Sequence, residues 1–276
     1  TALVDHTIRS NGPSSVRMVI PSIELKLCGM ACKHKDGLLS THALARKFNN
    51  ISKTYSKQTV LDVESLEIQP GQAFGLVGNN GAGKTTLFST LLDLIKPSTG
   101  EVLNNDINVR TSEDWKSFTS AFLDESFLIS YLMPEEYFYF VGELRNFSKN
   151  EVDEFLKQFE DLFNDEILGG KKYIRDLSKG NQKKVGIVAA LIGNPKVVVL
   201  DEPFANLDPT TQIRLKKIIK NLSQKDDVTV LVSSHDLQDV TEVSDRIVLL
   251  EKGMIIKDIK KTQKTLKDLE TYFNKG

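Results

Sequence analysis

Apolar and polar residues alternate in a regular way from about residue 43 onward, where strand-like and helix-like segments follow one another. Residues 47–55 and 59–68 read as strands, and Pro70-Gly71 follows them as a turn signal. Four further runs are almost wholly apolar: 73–77, 197–200, 228–232 and 246–250. Runs of this kind are typical of strands that are buried on both faces of a parallel sheet. The pattern therefore predicts an α/β fold with a mostly parallel sheet.

Besides a helix-like run at 183–191, two longer segments have helical character. The first starts at Thr85 and is predicted to end near Lys96, where Pro97 stops it. The second spans about residues 134–176, and within 151–163 the apolar residues recur at helix spacing and define one helical face. The tail, 257–276, is rich in lysine and weakly helical, which predicts a solvated face.

Residues 1–42 do not follow this pattern, and we treat them as an N-terminal extension of unknown role. Only 23–27 alternates as an edge strand would. An extension, a docking element and artificially added residues stay open as interpretations. The two cysteines, Cys28 and Cys32, lie here with His34 and His42, but their spacing matches no standard zinc pattern. Reduced thiols are therefore favoured over a metal site.

Composition narrows the classes of partner. The 276 residues carry 36 basic and 37 acidic side chains, a net charge of −1, so no nucleic-acid partner is expected. No run approaches the roughly 20 apolar residues that span a bilayer, and the polar start of the chain does not resemble a signal peptide. We expect a cytoplasmic protein that reaches a membrane only through a partner.

A glycine-rich loop carries the first chemical signal. In order, its residues are Gly78, Asn79, Asn80, Gly81, Ala82, Gly83, Lys84 and Thr85, which match G-x-x-x-x-G-K-[ST] at every fixed position. Glycines let backbone N–H groups curl around phosphate oxygens, and the helix that follows aims its positive end at them. Lys84 is predicted to reach the β- and γ-phosphates, the Thr85 hydroxyl to ligate Mg²⁺, and Thr86 to extend the nucleotide contact.

An acidic pair follows the apolar run 197–200. Carboxylates at the carboxyl end of a parallel strand point into the crevice where α/β sheets bind ligands. Asp201 is therefore predicted to ligate Mg²⁺. Glu202 is predicted to orient or deprotonate the water that attacks the γ-phosphate.

With these residues in place, the chain resembles the nucleotide-binding domain of ABC ATPases over about residues 43–259. The most diagnostic segment is Leu177-Ser178-Lys179-Gly180-Asn181, which is similar to the LSGGQ signature of that family. The resemblance implies a P-loop NTPase core with an antiparallel β subdomain and an inserted helical subdomain at about 125–177, all within a domain of residues 43–276. It also implies a head-to-tail dimer, in which Ser178, Gly180 and Asn181 contact the nucleotide on the partner's phosphate loop.

Three further positions follow from the same resemblance. Tyr55 matches the aromatic residue that stacks on adenine, with a half-buried strand tyrosine as the alternative interpretation. Asp208 lies in a segment, 206–209, that resembles the D-loop and is assigned to the nucleotide site. His235 matches the switch histidine that contacts the γ-phosphate, with a structural histidine as the alternative.

The chain departs from the family pattern at two places. The signature has Lys179 and Asn181 where glycine and glutamine are usual, but it keeps the serine and glycine that would contact the anion. The position of the Q-loop glutamine holds Glu125, with Asp124 one residue away. Glu125 is predicted to ligate Mg²⁺ through an oxygen, although an ionised carboxylate adds charge and donates no hydrogen bond. We expect retained but altered metal coupling.

The resemblance implies a transporter subunit that uses ATP and Mg²⁺. Its expected partners are a second copy or a paralogous ATPase subunit, and a separate permease that holds it at the inner face of the cell membrane. Export is the predicted direction. The aromatic segment 134–142 either lines a groove for a coupling helix of the permease or packs inside the helical subdomain. One alternative is a soluble ABC ATPase acting on ribosomes or DNA. Another is a regulatory subunit that hydrolyses ATP poorly, but the presence of Lys84, Glu202 and His235 argues against such a subunit.

Overall fold

The computed structural model describes residues 45–225, 227–262, 265 and 269. The predictions for 1–42, including the strand at 23–27 and the cysteine and histidine group, lie outside these residues, as does most of the predicted tail. Among the described residues, no helix has the length and apolar character needed to cross a membrane.

In chain order, the strands are β1 (Arg46–Tyr55), β2 (Gln58–Ile68), β3 (Ala73–Val77), β4 (Thr99–Asn104), β5 (Ile107–Asn108), β6 (Thr119–Phe122), β7 (Val197–Leu200), β8 (Thr229–Ser234), β9 (Arg246–Glu251) and β10 (Met254–Lys260). The helices are α1 (Lys84–Leu91), α2 (Pro134–Leu144), α3 (Lys149–Lys157), α4 (Glu160–Phe163), α5 (Lys179–Leu191), α6 (Pro209–Ser223) and α7 (Leu237–Val243). Short 3₁₀ turns lie at Asp114–Ser117, Glu125–Phe127 and Ile174–Asp176.

The central sheet has the order β10-β9-β3-β8-β7-β6, and every pair in it is parallel except β10 with β9. Strand β7 explains why such runs are wholly apolar. Val197 and Val199 pack into the core between the two sheets, while Val198 and Leu200 pack into a second core under the helices. Because both faces are covered by apolar cores, apolar side chains are favoured on both. The predicted α/β fold with a mostly parallel sheet is confirmed.

A second, antiparallel sheet has the order β2-β1-β4-β5 and packs against the central one. The two are joined by a buried polar contact, in which Arg46 Nη1 of β1 donates to Thr229 Oγ1 of β8 at 2.7 Å. The same hydroxyl accepts the Gly71 N–H at 2.9 Å. Burial lowers the pKa of Arg46 to about 10. The antiparallel subdomain predicted from the family resemblance is therefore present and fixed to the core.

Helix α1 ends at Leu91, so the prediction that it continues to Lys96 is wrong. Asp93 adopts a left-handed conformation with φ 51°. The Leu94 and Asp93 N–H groups then bond to the carbonyls of Ser89 and Thr90. This is the Schellman ending of a helix, which usually uses glycine. The chain therefore turns well before Pro97.

The predicted single helix at 151–163 is also wrong, because it is divided into α3 and α4 by a non-helical Phe159, with φ −112°. The packing prediction survives, since the apolar residues of both helices lie in or against one core. The aromatic residues of α2 belong to the same core: Tyr137 and Phe138 are buried, and Tyr139 and Phe140 pack against it. Tyr137 and Phe140 also line a cleft beside β6 and the turn that follows it, so the groove and the internal packing both stay open as interpretations of this segment.

The start of the tail is also not helical, because residues 257–260 belong to β10. The strand is anchored by an ion pair between Arg246 and Asp258, 2.5 Å apart. Alternate residues of β10 are exposed, as expected of an edge strand.

Candidate active site

The carboxyl ends of β3, β8 and β7 meet at one edge of the central sheet. Strand β8 lies between the other two, and their parallel pairing places Val77 opposite Ser234, and Leu200 opposite Val232. Each strand then leads directly into a predicted site segment: the phosphate loop after β3, Asp201 after β7 and His235 after β8. Strand order therefore brings together residues that are more than 100 positions apart in the chain.

The phosphate loop has the geometry that its glycines permit. Gly81 and Gly83 adopt φ values of 81° and 106°, in the left-handed region that favours glycine. At Gly78, a Cβ atom would lie 2.3 Å from the carbonyl oxygen of Leu250, so no larger residue fits without movement of the backbone. The Ala82 carbonyl accepts the Gly253 N–H at 2.9 Å. The loop is thus held against the start of β10 as it enters α1.

Lys84 is the buried cation of this loop, with 6% of its surface exposed. Its Nζ donates to the Gly78 and Asn79 carbonyls at 2.6 and 3.3 Å and lies 3.1 Å from Glu202 Oε1. The ammonium group is therefore fixed where the loop backbone curls. A phosphate bound in the loop would meet a charge that is already positioned.

Asp201 lies beside the first turn of α1. The Thr85 hydroxyl donates to Asp201 Oδ2 at 2.5 Å, and the Ser233 hydroxyl donates to Oδ1. Burial raises the pKa of Asp201, and the two hydroxyl groups oppose that effect. Ser233 also accepts the Glu202 N–H at 3.0 Å and so ties both acidic residues to β8. The sequence alone did not assign this role to Ser233.

Glu202 bridges two predicted catalytic residues. Its Oε2 lies 2.8 Å from His235 Nδ1, while Oε1 faces Lys84. The backbone of Glu202 is left-handed, with φ 46°, an uncommon conformation for a residue with a side chain. Such strain recurs at functional sites because the surrounding structure imposes it. His235 itself is about half exposed and is reachable from solvent.

The oxygen atoms of Thr85 and Asp201 form a donor set that suits Mg²⁺, which prefers hard oxygen ligands. Among the described residues, no group of three or more His, Cys, Asp or Glu side chains could hold a metal by itself. A magnesium ion here would thus need phosphate oxygens and water to complete its shell. Glu125, the other predicted ligand, lies in a 3₁₀ turn after β6, with its Oε1 3.8 Å from Lys183 Nζ.

A cleft of about 320 Å³ opens over the phosphate loop. It is lined by Tyr55, Val60, residues 80–86 and Glu202. Tyr55 is 46% exposed, and Lys53 Nζ lies 4.7 Å from the centroid of its ring. A tyrosine that served only to fill a strand face would not need to line this cleft. Its position at the rim fits a planar ligand group stacked on the ring.

The signature and D-loop residues line a different cleft, of about 520 Å³. Ser178 caps α5 by accepting the Asn181 N–H at 3.2 Å, and Asp208 caps α6 by accepting the Thr211 N–H at 3.0 Å. Gly180 lies on the same cleft, and Asn181 Nδ2 donates to Glu166 at 3.0 Å. No lining residue is shared with the first cleft. The predicted nucleotide contacts thus divide into two groups within one chain.

Comparisons with known proteins agree with this geometry. Residues 61–205 match the family described as ABC transporter. The ABC transporter ATP-binding protein MJ1023 of Methanocaldococcus jannaschii is 34% identical over 213 residues, which cover 76% of this chain and 75% of that protein. A solved ATP-binding subunit of an ABC transporter has a TM-score of 0.70 at 25% identity, covering 83% of this chain and 93% of the other.

The fold is also that of a dimeric ATP-binding cassette, MJ0796, solved in a post-hydrolysis state with ADP and Pi. That chain has a TM-score of 0.69 at 24% identity, and the match covers 78% of this chain and 98% of the other. At this identity the likeness concerns the fold only. The family profile, the relative at 34% identity and the arrangement of the phosphate loop and acidic pair lead to one conclusion. The chain belongs to the ABC transporter family, as one of its ATP-binding cassettes.

Proposed function

We propose that two copies of this chain bind ATP head to tail, hydrolyse it, and drive transport through a separate membrane permease. The observation that carries the dimer is the division of the nucleotide contacts between two clefts. Lys84 and Glu202 line one cleft, with His235 bonded to Glu202, while Ser178 and Gly180 line the other. A second copy placed head to tail would bring one chain's signature onto the other's phosphate loop and complete two sites.

The chemistry follows from the contacts around Glu202. The loop N–H groups and Lys84 hold the β- and γ-phosphates, and they balance negative charge that develops there. Glu202 then orients the attacking water or accepts its proton, while His235 holds the carboxylate from the other side at 2.8 Å. Thr85 and Asp201 would hold Mg²⁺, which neutralises phosphate charge when it is bound.

Two observations support a membrane partner. The chain belongs to the ABC transporter family, and the described residues contain no candidate membrane span. A cassette of this family that moves solute needs a path through the bilayer, and we assign that path to a permease that holds the chain at the inner face of the membrane. The prediction of export from the sequence stays a prediction. Purification of the tagged chain in mild detergent tests this assignment: a co-purifying permease supports it, and ribosomes or DNA in its place would favour the soluble alternative.

Mixing two inactive variants tests the composite site directly. Glu202→Gln removes the catalytic carboxylate, and Gly180→Glu places a negative charge at the signature. The second variant should fold, because a Cβ at Gly180 meets Leu207 no closer than 3.5 Å and an acidic residue suits the first turn of α5.

Each variant alone should be inactive. In an equal mixture, about half of the dimers combine the two variants, and each of those keeps one intact site. We therefore expect about a quarter of the parent ATPase rate from the mixture. A mixture as inactive as its components would refute the head-to-tail site.

A further inference from the structure

Lys183 is a buried cation that the proposed chemistry does not use. It lies in the second turn of α5, shortly after the signature, with 6% of its surface exposed. Lysine is seldom buried to this degree unless its charge has partners. Its contacts therefore identify what the charge is for.

All the contacts of the Lys183 ammonium lead to the catalytic loops. Nζ donates to the backbone carbonyls of Glu202 and Ala205 at 3.0 and 2.9 Å, the two ends of the turn that follows β7. It also lies 3.8 Å from Glu125 Oε1, in the 3₁₀ turn that follows β6. One ammonium group thus touches two separate loops.

The turn held by Lys183 is the one that needs support. Glu202 has a left-handed backbone, and within the turn the Ala205 N–H reaches the Glu202 carbonyl only at 3.3 Å. Two hydrogen bonds from a charged donor restrain both ends of this strained segment. The direction of the Glu202 side chain depends on that backbone.

Glu125 forms the ion pair of Lys183, at 3.8 Å, within a wider group of carboxylates. Burial lowers the pKa of Lys183, and four carboxylates act in the opposite direction, with Glu125 the largest of them, followed by Glu202, Asp201 and Asp124. Removing one partner of a buried pair leaves the other charge less well compensated. Glu125 and Lys183 are therefore expected to depend on each other.

We infer that Lys183 is a positioning residue for ATP hydrolysis, which fixes the Glu202 backbone and couples it to the Glu125 loop. The inference rests on the proposed function, because it assigns Lys183 a role through Glu202. A shift of the loop after β6 would reach the Glu202 backbone through the Lys183 side chain. Lys183 does not line the nucleotide cleft, so its effect falls on turnover rather than on ATP binding.

The test measures kcat, KM and the affinity for a non-hydrolysable ATP analogue in the full chain. Lys183→Met removes both the charge and the hydrogen bonds, and Lys183→Gln keeps an amide donor without the charge. We expect Lys183→Met to lower kcat about 10- to 100-fold, the scale of a small misplacement of a catalytic group. Analogue affinity should stay within about twofold of the parent, because the phosphate contacts do not involve Lys183. Lys183→Gln should retain more activity than Lys183→Met.

Arg145→Met is the matched control for loss of a cation that clamps backbone carbonyls. Arg145 donates to the carbonyls of Ser117 and Thr119 at 2.9 and 2.8 Å, at the opposite end of β6. At a temperature below its unfolding midpoint, the Arg145→Met variant should keep the parent kcat. An equal loss of kcat in both variants would mean that Lys183 acts only through stability, and this would overturn the inference.

A double-mutant cycle tests the coupling to Glu125. Glu125→Gln combined with Lys183→Gln removes both charges at once, so the loss of kcat should be smaller than the product of the two single losses. A cycle in which the losses simply multiply would overturn the coupling. A parent protein without ATPase activity would refute the proposed function and this inference together. An active parent with an unchanged Lys183→Met would refute the inference alone.

Discussion

Replacing Glu202 by glutamine is the sharpest single test of the candidate site. The substitution keeps the size and shape of the side chain, and the amide can still hydrogen-bond to His235, 2.8 Å from Oε2. What disappears is the negative charge, which pairs with Lys84 at 3.1 Å and would attract a proton from water. The variant therefore isolates charge and basicity from packing.

The expected loss follows from the role assigned to the carboxylate. A positioned general base contributes about 10²- to 10⁴-fold to a reaction rate, so kcat should fall by that factor. This corresponds to an increase of about 3 to 5 kcal/mol in the activation barrier. ATP binding should become tighter, because the variant releases Lys84 from its ion pair and removes a negative charge beside the γ-phosphate.

Steady-state ATPase assays and ATP titration measure both quantities. Asp227→Asn is the matched control, since Asp227 is an exposed acid paired with Lys196 and lies outside both clefts. Its variant should hydrolyse ATP as the parent does. A Glu202→Gln protein with parental turnover would refute the catalytic role of Glu202, whatever happens to its affinity.

Three further predictions concern neighbouring residues. Burial raises the pKa of Asp201. The ionised carboxylate therefore lowers the stability of the nucleotide-free protein as pH rises from the ordinary Asp range through that raised pKa. Asp201→Asn should therefore raise the thermal unfolding midpoint at pH 8. The gain should shrink as the pH is lowered towards about 4, the ordinary Asp range. A lower midpoint of the variant at pH 8 would contradict this. Ser178→Ala should cost about 1 kcal/mol in urea unfolding through loss of the α5 cap, whereas Ser178→Thr should not; an equal stability of both variants would speak against the cap. Tyr55→Ala should weaken ATP binding by about 1 to 3 kcal/mol through lost base stacking, while Tyr55→Phe keeps it, as nucleotide titration can check; unchanged binding by Tyr55→Ala would remove the ring from the site.

The buried strands were predictable because each is a run of almost only apolar residues. The run at 73–77 coincides with β3, and the run at 197–200 coincides with β7. Helix ends were less predictable, since they depend on single backbone conformations. Asp93 ends α1 in a conformation that glycine usually provides, and no residue type marks the break at Phe159.

The candidate site likewise contains residues that could be predicted from the sequence and residues that could not. The phosphate loop and the acidic pair follow strands in a recognisable order, so their residues could be proposed from sequence. Ser233 and Lys183 could not, because their roles depend on which strands and helices become neighbours. Ser233 reaches Asp201 because β8 adjoins β7. Lys183 reaches the Glu202 carbonyl because α5 packs beside the turn that follows β7.

The buried contact between Arg46 and Thr229 has a consequence for ligand recognition. Tyr55 ends β1 in one sheet, whereas the phosphate loop follows β3 in the other, so the two ends of the nucleotide cleft are built on different sheets. Arg46, at the opposite end of β1, fixes that strand to β8, which pairs with β3. This contact holds the two sheets together at the Arg46 end of β1, while the Tyr55 end lies beyond a register shift between Lys53 and Thr54. A ligand that fills this cleft would place an aromatic group at the Tyr55 end and phosphates at the glycine loop, so the two sheets would recognise different parts of one molecule.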